Sequence, residues 1–265
     1  MCPICKSSAE YELTTERYGY EILKCINIKC SHFFYKNSYP GQGIDEREDS
    51  VSTESDQALD AFKDRNERLL KNFLKVLPPK NKYIFLDFGS GVAHISRSFK
   101  KSLKDRVEII CFEPNKDLKG FYDNFSLEQI FTLNQVNKEY DLIYLIEVIE
   151  HLDDPKETLS QILKVMNKDT KLYISTPKAQ THPDGNCYHT PAHIQFFSDT
   201  SLNFLLDELG FKKIEFKYIP EMYPFNSVKY QLEKYKSFII NFLLSLGLEF
   251  NYEFKNHLVG FTELK

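Results

Sequence analysis

In the middle of this chain, glycines and acidic residues occur at the points where apolar runs end. In "IFLDFGSGVAHIS", Asp87 is followed by Gly89 and Gly91, and Glu113 ends the next apolar run in "CFEPN". Two glycines allow a tight strand-to-helix turn and a close approach of a ligand to the backbone. The dinucleotide fingerprint needs a third glycine where His94 stands, and the sequence lacks the Gly-Lys-Ser/Thr of a Walker A loop. The carboxylates favour a cationic ligand; the alternative is a plain strand-to-helix turn.

Three histidines follow a later apolar run, in the loop "PKAQTHPDGNCYHTPAHIQFFS". Imidazole titrates near neutral pH, so His182, His189 and His193 are candidates for a general base that removes a proton from a hydroxyl. A metal set made of these histidines and Asp184 is one alternative, and ordinary loop hydrogen bonding is another. His151 is a further candidate base, whose alternative role is to anchor the start of a helix.

Four of the six cysteines lie near the N-terminus as two close pairs. The Cys-Pro-Ile-Cys spacing is typical of a zinc knuckle, and a second pair across a hairpin would complete a tetrahedral four-thiolate site. In a reducing compartment such spacing favours a metal over disulfides. The predicted zinc ligands are Cys2, Cys5, Cys25 and Cys30. His32 is an alternative to one ligand because the second pair is more widely spaced. Of the other two cysteines, Cys111 is expected to be inert in a buried strand and Cys187 to be incidental in the histidine loop.

Composition restricts the class of protein. The 265 residues are 42% hydrophobic, enough for a sizeable core, and the net charge of -4 provides no positive field to recruit nucleic acid. The sequence shows no basic-then-apolar leader, and the apolar run "SFIINFLLSLGLEF" is interrupted by polar residues and too short to span a bilayer. We therefore expect a soluble, cytoplasmic protein without a membrane span and without a nucleic-acid partner.

Alternating patterns predict an α/β fold. The strand-like runs "YIFLDFG", "VEIICFEP", "YDLIYLIE" and "KLYISTP" alternate with helical patterns and are apolar on both faces, as in a parallel sheet covered by helices. We predict a doubly wound, Rossmann-like, mostly parallel seven-stranded sheet with a small N-terminal four-cysteine zinc-binding module. The expected boundaries are 1–40 for the zinc-ribbon-like module, 41–54 for an acidic linker and 55–265 for the main domain. A helical insertion at about 221–250 could cover a binding pocket, form a homodimer face or pack in the core.

Four motifs, in order, carry a resemblance to a known family. They are Asp87-Phe88-Gly89-Ser90-Gly91, Glu113-Pro114, Tyr140-Asp141-Leu142-Ile143 and Glu147-Val148-Ile149-Glu150-His151-Leu152-x-Asp154-Pro155. Over about residues 55–215 the chain resembles the class I S-adenosylmethionine-dependent methyltransferases. More narrowly, it is similar to the small-molecule branch that includes ubiquinone-biosynthesis O-methyltransferases and sugar methyltransferases. Ala93 stands in for the usual third glycine, and the acid that often contacts adenine is not evident between Phe125 and Phe131.

The resemblance implies a role for each matched residue. The implied cofactor-binding residues are Asp87, Gly89 and Gly91 at the methionine part, Glu113 at the ribose and Glu147 at the methionine or methyl end, together with Ser90 and Pro114. The candidate catalytic residues remain His189, His193 and His151. Of these, His193 matches the family's His-x-x-x-Phe-Ser sequence, which precedes a helix that begins at Ser198.

The implied function is methyl transfer from S-adenosylmethionine to a small molecule. The expected acceptor is a hydroxyl of a sugar, a nucleotide-linked sugar or a surface-polysaccharide precursor, with in-line transfer and His-assisted deprotonation. The module also resembles zinc modules on some sugar methyltransferases, so its Zn²⁺ is expected to be structural. Two alternatives stay open: an RNA or protein methyltransferase that uses the zinc module to read its substrate, and a non-catalytic regulatory protein that binds the cofactor.

Overall fold

The computed structural model describes residues 1–14, 21–36, 63–133, 138–179, 193–214, 217–219 and 257–265. Several sequence predictions concern residues outside these ranges. They are the acidic linker 41–54, the helical insertion 221–250 with its homodimer face, and the loop residues His182, Asp184, Cys187 and His189.

The secondary-structure elements alternate along the chain as an α/β fold requires. The described strands are β1 (Ala9–Thr14), β2 (Glu21–Cys25), β3 (Phe33–Tyr35), β4 (Tyr83–Phe88), β5 (Val107–Phe112), β6 (Glu128–Ile130), β7 (Leu142–Ile146), β8 (Lys171–Pro177), β9 (Gln195–Phe196), β10 (Lys217–Ile219) and β11 (His257–Thr262). The described helices are α1 (Lys63–Val76), α2 (His94–Leu103), α3 (Lys119–Asn124), α4 (Pro155–Leu163) and α5 (Asp199–Glu208), with a short 3-10 turn at Ile149–His151. Within these ranges no helix has both the length and the apolar character needed to cross a bilayer.

One mixed sheet organises the main domain, with the strand order β10-β11-β8-β7-β4-β5-β6. The strands from β8 to β6 are parallel, whereas β10 and β11 run antiparallel to their neighbours. Central strands are apolar on both faces, and Phe85, Leu86, Leu142 and Ile143 are fully buried. This pattern follows from helices that cover both sides of the sheet. The predicted α/β class is therefore confirmed, with a mixed sheet.

Each face of the sheet has its own hydrophobic core. On one face Phe73 of α1 packs edge-on against Phe99 of α2 and Tyr173 of β8, with ring centroids 5.6 Å and 4.8 Å away. On the other face the buried leucines and isoleucines of α4 and α5 meet the sheet. The side chain of Ser198 caps α5 in a capping box with Ser201, at the position where the sequence predicts a helix start.

The cysteine-bearing segment forms a second sheet, with the order β1-β2-β3-β9 and only antiparallel pairs. The strand β9 comes from the main domain, between β8 and α5, and pairs Phe33 with Phe196 and Phe34 with Gln195. Cys2 is buried in the same cluster as the leucines of α5. We use the name cysteine module for described residues 1–14 and 21–36, which are thus packed on the main domain through a shared sheet.

Candidate functional site

The glycine turn between β4 and α2 is shaped by left-handed backbone conformations. Gly89 has φ +73°, and a Cβ at this residue would lie 2.7 Å from Val148 Cγ2. Gly91 has φ +53°, and no other part of the described chain lies within 4 Å of the position its Cβ would take. Ala93, also left-handed at φ 56°, directly precedes α2. Packing therefore requires a glycine at 89, whereas Gly91 leaves open space where a ligand can approach the backbone.

Glu113 closes this turn from the end of β5. Its Oε2 accepts a hydrogen bond from the Gly91 amide at 2.9 Å, and its Oε1 accepts one from the Asn115 amide at 3.0 Å. Gln129 of β6 donates to the carbonyl oxygens of Glu113 and Asn115 at 3.1 and 3.0 Å, which fixes the loop that holds the exposed Pro114. A carboxylate offers about four lone-pair directions, so both oxygens of Glu113 can still accept hydrogen bonds from ribose hydroxyls.

Asp87 is buried beneath the start of α2. Its Oδ2 accepts a hydrogen bond from Ser96 Oγ at 2.6 Å, and the Tyr144 hydroxyl lies 2.7 Å from the same Ser96 oxygen. Burial raises the pKa of Asp87 to about 7, while the contacts with Ser96 and Tyr144 work in the opposite direction. Asp87 thus ties β4 to α2, and a cation bound at the turn would favour its ionised form.

Glu147 directly follows β7 and adopts a left-handed conformation, with φ 57°. Residues other than glycine adopt this conformation rarely, and such strain concentrates at functional sites. The Glu147 amide donates to the Ser175 carbonyl at 3.0 Å, and Ser175 Oγ donates to Glu147 Oε1 at 2.6 Å. These contacts with β8 hold the half-buried carboxylate at the sheet edge where the glycine turn lies.

Glu150, His151 and His193 form a group that we call the acceptor cluster, after the role proposed for it. Glu150 is 1% exposed, and its Oε1 lies 3.8 Å from His151 Nε2 and 4.0 Å from His193 Nε2. Thr176 Oγ1 donates to the other oxygen of Glu150 at 2.9 Å. The two imidazole rings meet edge to face, with centroids 4.8 Å apart. The structure therefore brings together two of the three histidines predicted to be catalytic; the third, His189, lies outside the described residues.

The acceptor cluster also has the dimensions of a cation site. The potential ligand atoms of its three residues all lie within 4.8 Å of one another. Ligands at about 2.1 Å from a tetrahedral metal are about 3.4 Å apart, so small side-chain movements would close the site. Two imidazoles and one carboxylate suit several divalent metals. This set shares only His193 with the metal set considered from the sequence.

The four cysteines predicted to bind zinc come together in the cysteine module. Cys2 Sγ lies 3.8 Å from Cys30 Sγ, Cys5 Sγ lies 3.4 Å from Cys25 Sγ, and all four sulfurs lie within 4.8 Å of one another. A tetrahedral zinc with Zn–S bonds of about 2.3 Å places its sulfurs about 3.8 Å apart, so the donor set fits this metal. His32 instead places Nε2 2.9 Å from Gln195 Oε1, and burial lowers its pKa to about 4.

Comparison with protein families gives a match over residues 61–215 to a family described as a methyltransferase domain. The match covers more than half of the 265 residues. The chain belongs to this methyltransferase family. The protein is accordingly an S-adenosylmethionine-dependent methyltransferase, as its motifs predict. The comparison with curated proteins gave no match.

Solved methyltransferases share the fold of this methyltransferase at low sequence identity. The plantazolicin methyltransferase BpumL, in complex with S-adenosylhomocysteine, is 15% identical with a TM-score of 0.54, over 84% of this chain and 92% of the other. A chain in the complex of a methyltransferase with the Haloferax volcanii Trm112 methyltransferase activator is 12% identical with a TM-score of 0.54, over 79% and 94%. The Burkholderia thailandensis 1,6-didemethyltoxoflavin-N1-methyltransferase, with its acceptor and S-adenosylhomocysteine bound, is 13% identical with a TM-score of 0.50, over 97% and 99%.

In this methyltransferase most of the predicted cofactor residues directly follow neighbouring strands, at the edge of the sheet where the carboxyl ends of the parallel strands lie. Gly89, Ser90 and Gly91 follow β4, Glu113 and Pro114 follow β5, and Glu147 follows β7. Three residues of the site were not singled out from the sequence: Glu150, Gln129 and Gln195. Glu150 lies in one of the four motifs that carry the family resemblance and directly precedes the candidate His151, so the sequence did hold a signal for it. No local pattern marks Gln129 or Gln195, because their partners come from distant parts of the chain.

Proposed function

We infer that this methyltransferase methylates a hydroxyl group of a small molecule. The observation that carries the proposal is the acceptor cluster, where a buried carboxylate and two imidazoles lie just beyond Glu147 in the chain. The preferred acceptor is a sugar, a nucleotide-linked sugar or a surface-polysaccharide precursor, supported by the resemblance of the motifs. A small-molecule acceptor also agrees with solved relatives that methylate didemethyltoxoflavin and plantazolicin.

The residues of the sheet edge bind and orient the cofactor. S-adenosylmethionine, when bound, supplies an electrophilic methyl group on a cationic sulfur. Glu113, held by the amides of Gly91 and Asn115, accepts hydrogen bonds from the ribose hydroxyls. Asp87 and Glu147 put negative charge beneath and beside the turn, which favours a ligand with ammonium and sulfonium groups. The open space at Gly91 lets the ligand approach the backbone.

The acceptor cluster removes the proton of the hydroxyl. In this proposal His193 or His151 takes the proton, since imidazole is an effective general base near neutral pH. The buried Glu150 carboxylate, held by Thr176, stabilises the imidazolium that forms. The proton thus moves from the acceptor oxygen to a histidine ring nitrogen, while the oxygen becomes a stronger nucleophile.

The spacing within the acceptor cluster favours a second chemistry for the same reaction. Glu150, His151 and His193 could hold a divalent cation that lowers the pKa of the acceptor hydroxyl. Chelation separates the two versions. If a cation takes part, EDTA abolishes turnover while metal analysis still finds the zinc of the cysteine module, and Mg²⁺ or Mn²⁺ restores turnover. If turnover after chelation is unchanged, the histidines act as bases without a metal.

We also propose that Cys2, Cys5, Cys25 and Cys30 hold one structural Zn²⁺ in a module of about residues 1–40, apart from a main domain of about 55–265. The proposal is supported by the sulfur geometry, and the free cysteines fit a reducing compartment such as the cytoplasm. Metal analysis should find one zinc per chain. Cys30→Ser should lose it, whereas Cys111→Ser, which changes a buried cysteine of β5 outside the cluster, should retain it.

Two measurements test the methyl-transfer proposal. Calorimetry should detect binding of S-adenosylhomocysteine to protein freed of bound cofactor. A screen of sugars and nucleotide-sugars should then yield a product heavier by one methyl group. Glu150→Gln should abolish turnover and leave S-adenosylhomocysteine binding intact. Its control is Glu108→Gln, because Glu108 lies at the opposite end of the parallel strands, paired with Lys82 and Lys138. A wild-type protein that does not bind S-adenosylhomocysteine would refute the proposal.

A further inference from the structure

A buried polar bridge joins the cysteine module to the acceptor cluster. His32 Nε2 lies 2.9 Å from Gln195 Oε1, and Gln195 Nε2 donates to the Leu152 carbonyl at 3.0 Å. Since the nitrogen of the Gln195 amide is engaged as a donor, its oxygen accepts and His32 Nε2–H donates. His32 is 0% exposed and Gln195 is 5% exposed. The bridge therefore passes through Gln195, two residues after His193, and ends at Leu152, one residue after His151.

The main chain makes a second connection along the same path. The Tyr35 amide of β3 donates to the Ile194 carbonyl at 3.1 Å, and the Ile194 amide donates to the Glu150 carbonyl at 2.9 Å. The segment 193–196 thus lies between β3 of the cysteine module and the 3-10 turn Ile149–His151. In the described part of the chain, β9 is paired only with β3. A strand of two residues has no independent stability, so its place depends on these neighbours.

The residues around Cys25 and Cys30 hold the end of the bridge that lies in the cysteine module. The Cys25 amide donates to the His32 carbonyl at 2.8 Å, and Cys30 precedes His32 by two residues. The imidazole of His32 also packs on Phe197, with ring centroids 4.7 Å apart. One of the four clustered cysteines, Cys25, therefore holds the main chain of the residue that contacts Gln195, so the fold of the module contributes to the position of Gln195.

We propose that His32 and Gln195 are positioning residues through which the cysteine module sets the location of His151 and His193 for the acceptor. The inference rests on the proposed role of the acceptor cluster. Neither residue touches the reacting groups. They act instead by holding segment 193–196 at a fixed distance from the 3-10 turn Ile149–His151. Such control matters for transfer reactions because a misplacement of about 1 Å can lower the rate on the order of 100-fold.

The position of the glycine turn does not depend on the cysteine module in the same way. Its hydrogen bonds run among β4, β5 and α2, through Glu113, Phe112 and Ser96. Within the described residues, the module contacts the main domain through β9, through the residues that follow His151 and through the core that Cys2 shares with the leucines of α5, none of which belongs to the glycine turn. A defect in the bridge is therefore expected to impair the acceptor side and to leave cofactor binding intact.

The test uses the zinc-loaded full chain and three variants. Gln195→Met removes both hydrogen bonds at nearly constant volume. The double variant His32→Phe with Gln195→Leu replaces the polar pair by apolar groups and guards against simple misfolding. Lys6→Ala is the matched control, because Lys6 Nζ contacts Asp154 Oδ2 at 3.3 Å and so links the same module to the same loop at an exposed place. Amide hydrogen exchange of a peptide covering 193–197 is read alongside S-adenosylhomocysteine calorimetry.

In both bridge variants, exchange of the 193–197 amides should rise by about tenfold, as expected for the loss of one to two buried hydrogen bonds. S-adenosylhomocysteine affinity should stay at the wild-type value, and kcat with the acceptor found in the screen should fall. Lys6→Ala should change none of these. The inference is overturned if folded bridge variants exchange like wild type, or if Lys6→Ala has the same effect. A wild-type chain that fails to bind S-adenosylhomocysteine refutes the proposed function, whereas the exchange result still decides the bridge.

Discussion

Replacement of Gly89 by alanine tests whether packing, and not only backbone freedom, requires glycine in the turn. At φ +73° an alanine methyl would lie 2.7 Å from Val148 Cγ2 and 2.9 Å from Val148 Cγ1. The left-handed backbone costs a non-glycine residue about 1–2 kcal/mol. Overpacking against a buried side chain costs about 1–3 kcal/mol more. We therefore expect Gly89→Ala to lower the free energy of unfolding by about 2–5 kcal/mol.

Gly91→Ala is the matched comparison because it shares the backbone penalty without the overlap. Gly91 also has a positive φ, +53°, but its Cβ would meet no described neighbour within 4 Å. Its unfolding free energy should fall by only about 1–2 kcal/mol. Under the proposed function, however, this methyl enters the space where the cofactor approaches the backbone. Gly91→Ala should therefore weaken S-adenosylhomocysteine binding more than its effect on stability suggests.

Urea unfolding followed by circular dichroism measures the stability of both variants, and calorimetry measures their binding. A double-mutant cycle with Val148→Ala isolates the overlap, because removal of the two valine methyl groups removes the contact. The Gly89→Ala substitution should then be less destabilising in the Val148→Ala background than in wild type. Equal unfolding free energies for Gly89→Ala and Gly91→Ala, or no coupling with Val148, would refute the packing argument.

Three further predictions concern buried groups. The pKa of Asp87 is raised to about 7; the folded protein therefore keeps a proton that the unfolded chain releases above about pH 4, and stability from this group is present at low pH and lost as pH rises to 7. The difference in unfolding free energy between wild type and Asp87→Asn should accordingly change across this window, by at most about 1.4 kcal/mol per pH unit, and a flat difference contradicts the assignment. Asp141→Ala should cost about 1–3 kcal/mol in urea unfolding because Asp141 Oδ2 accepts from the Ile84 amide at 2.8 Å, whereas Asp141→Asn should cost less. Phe73→Ala should cost about 3–5 kcal/mol, since this fully buried ring contacts four aromatic rings; a loss below that of an exposed substitution such as Lys101→Ala would contradict its place in the core.

The parallel sheet was predictable because its signals are local. Four runs that are apolar on both faces become β4, β5, β7 and β8, and the acids or glycines that end three of these runs meet at one edge. Parallel strands place their carboxyl ends together, so a strand assignment already implies the neighbourhood of Asp87, Glu113 and Glu147. The left-handed backbone of Glu147 was not predictable, because no local pattern marks a non-glycine residue for that conformation.

The acceptor side was predicted less completely because its neighbours come from distant parts of the chain. His151 and His193 were both candidates, but their meeting over Glu150 depends on how β9 is placed after β8. β9 contributes two residues, too few to carry a strand signal of its own. The partner of Gln195 lies 163 residues earlier, in a segment that the sequence treats as a separate module.

The two halves of the proposed site are held by different kinds of contact. The proposed donor side is held by contacts among neighbouring strand ends, such as Gly91 with Glu113, so we expect it to tolerate change elsewhere in the chain. The proposed acceptor side is held by a two-residue strand between β3 and the 3-10 turn Ile149–His151, and β3 takes no part in the hydrogen bonds of the glycine turn described above. A substitution in the cysteine module is therefore expected to alter turnover or acceptor preference before it alters cofactor affinity. The opposite order, with cofactor affinity lost first, would mean that the module supports the whole domain and not the acceptor cluster in particular.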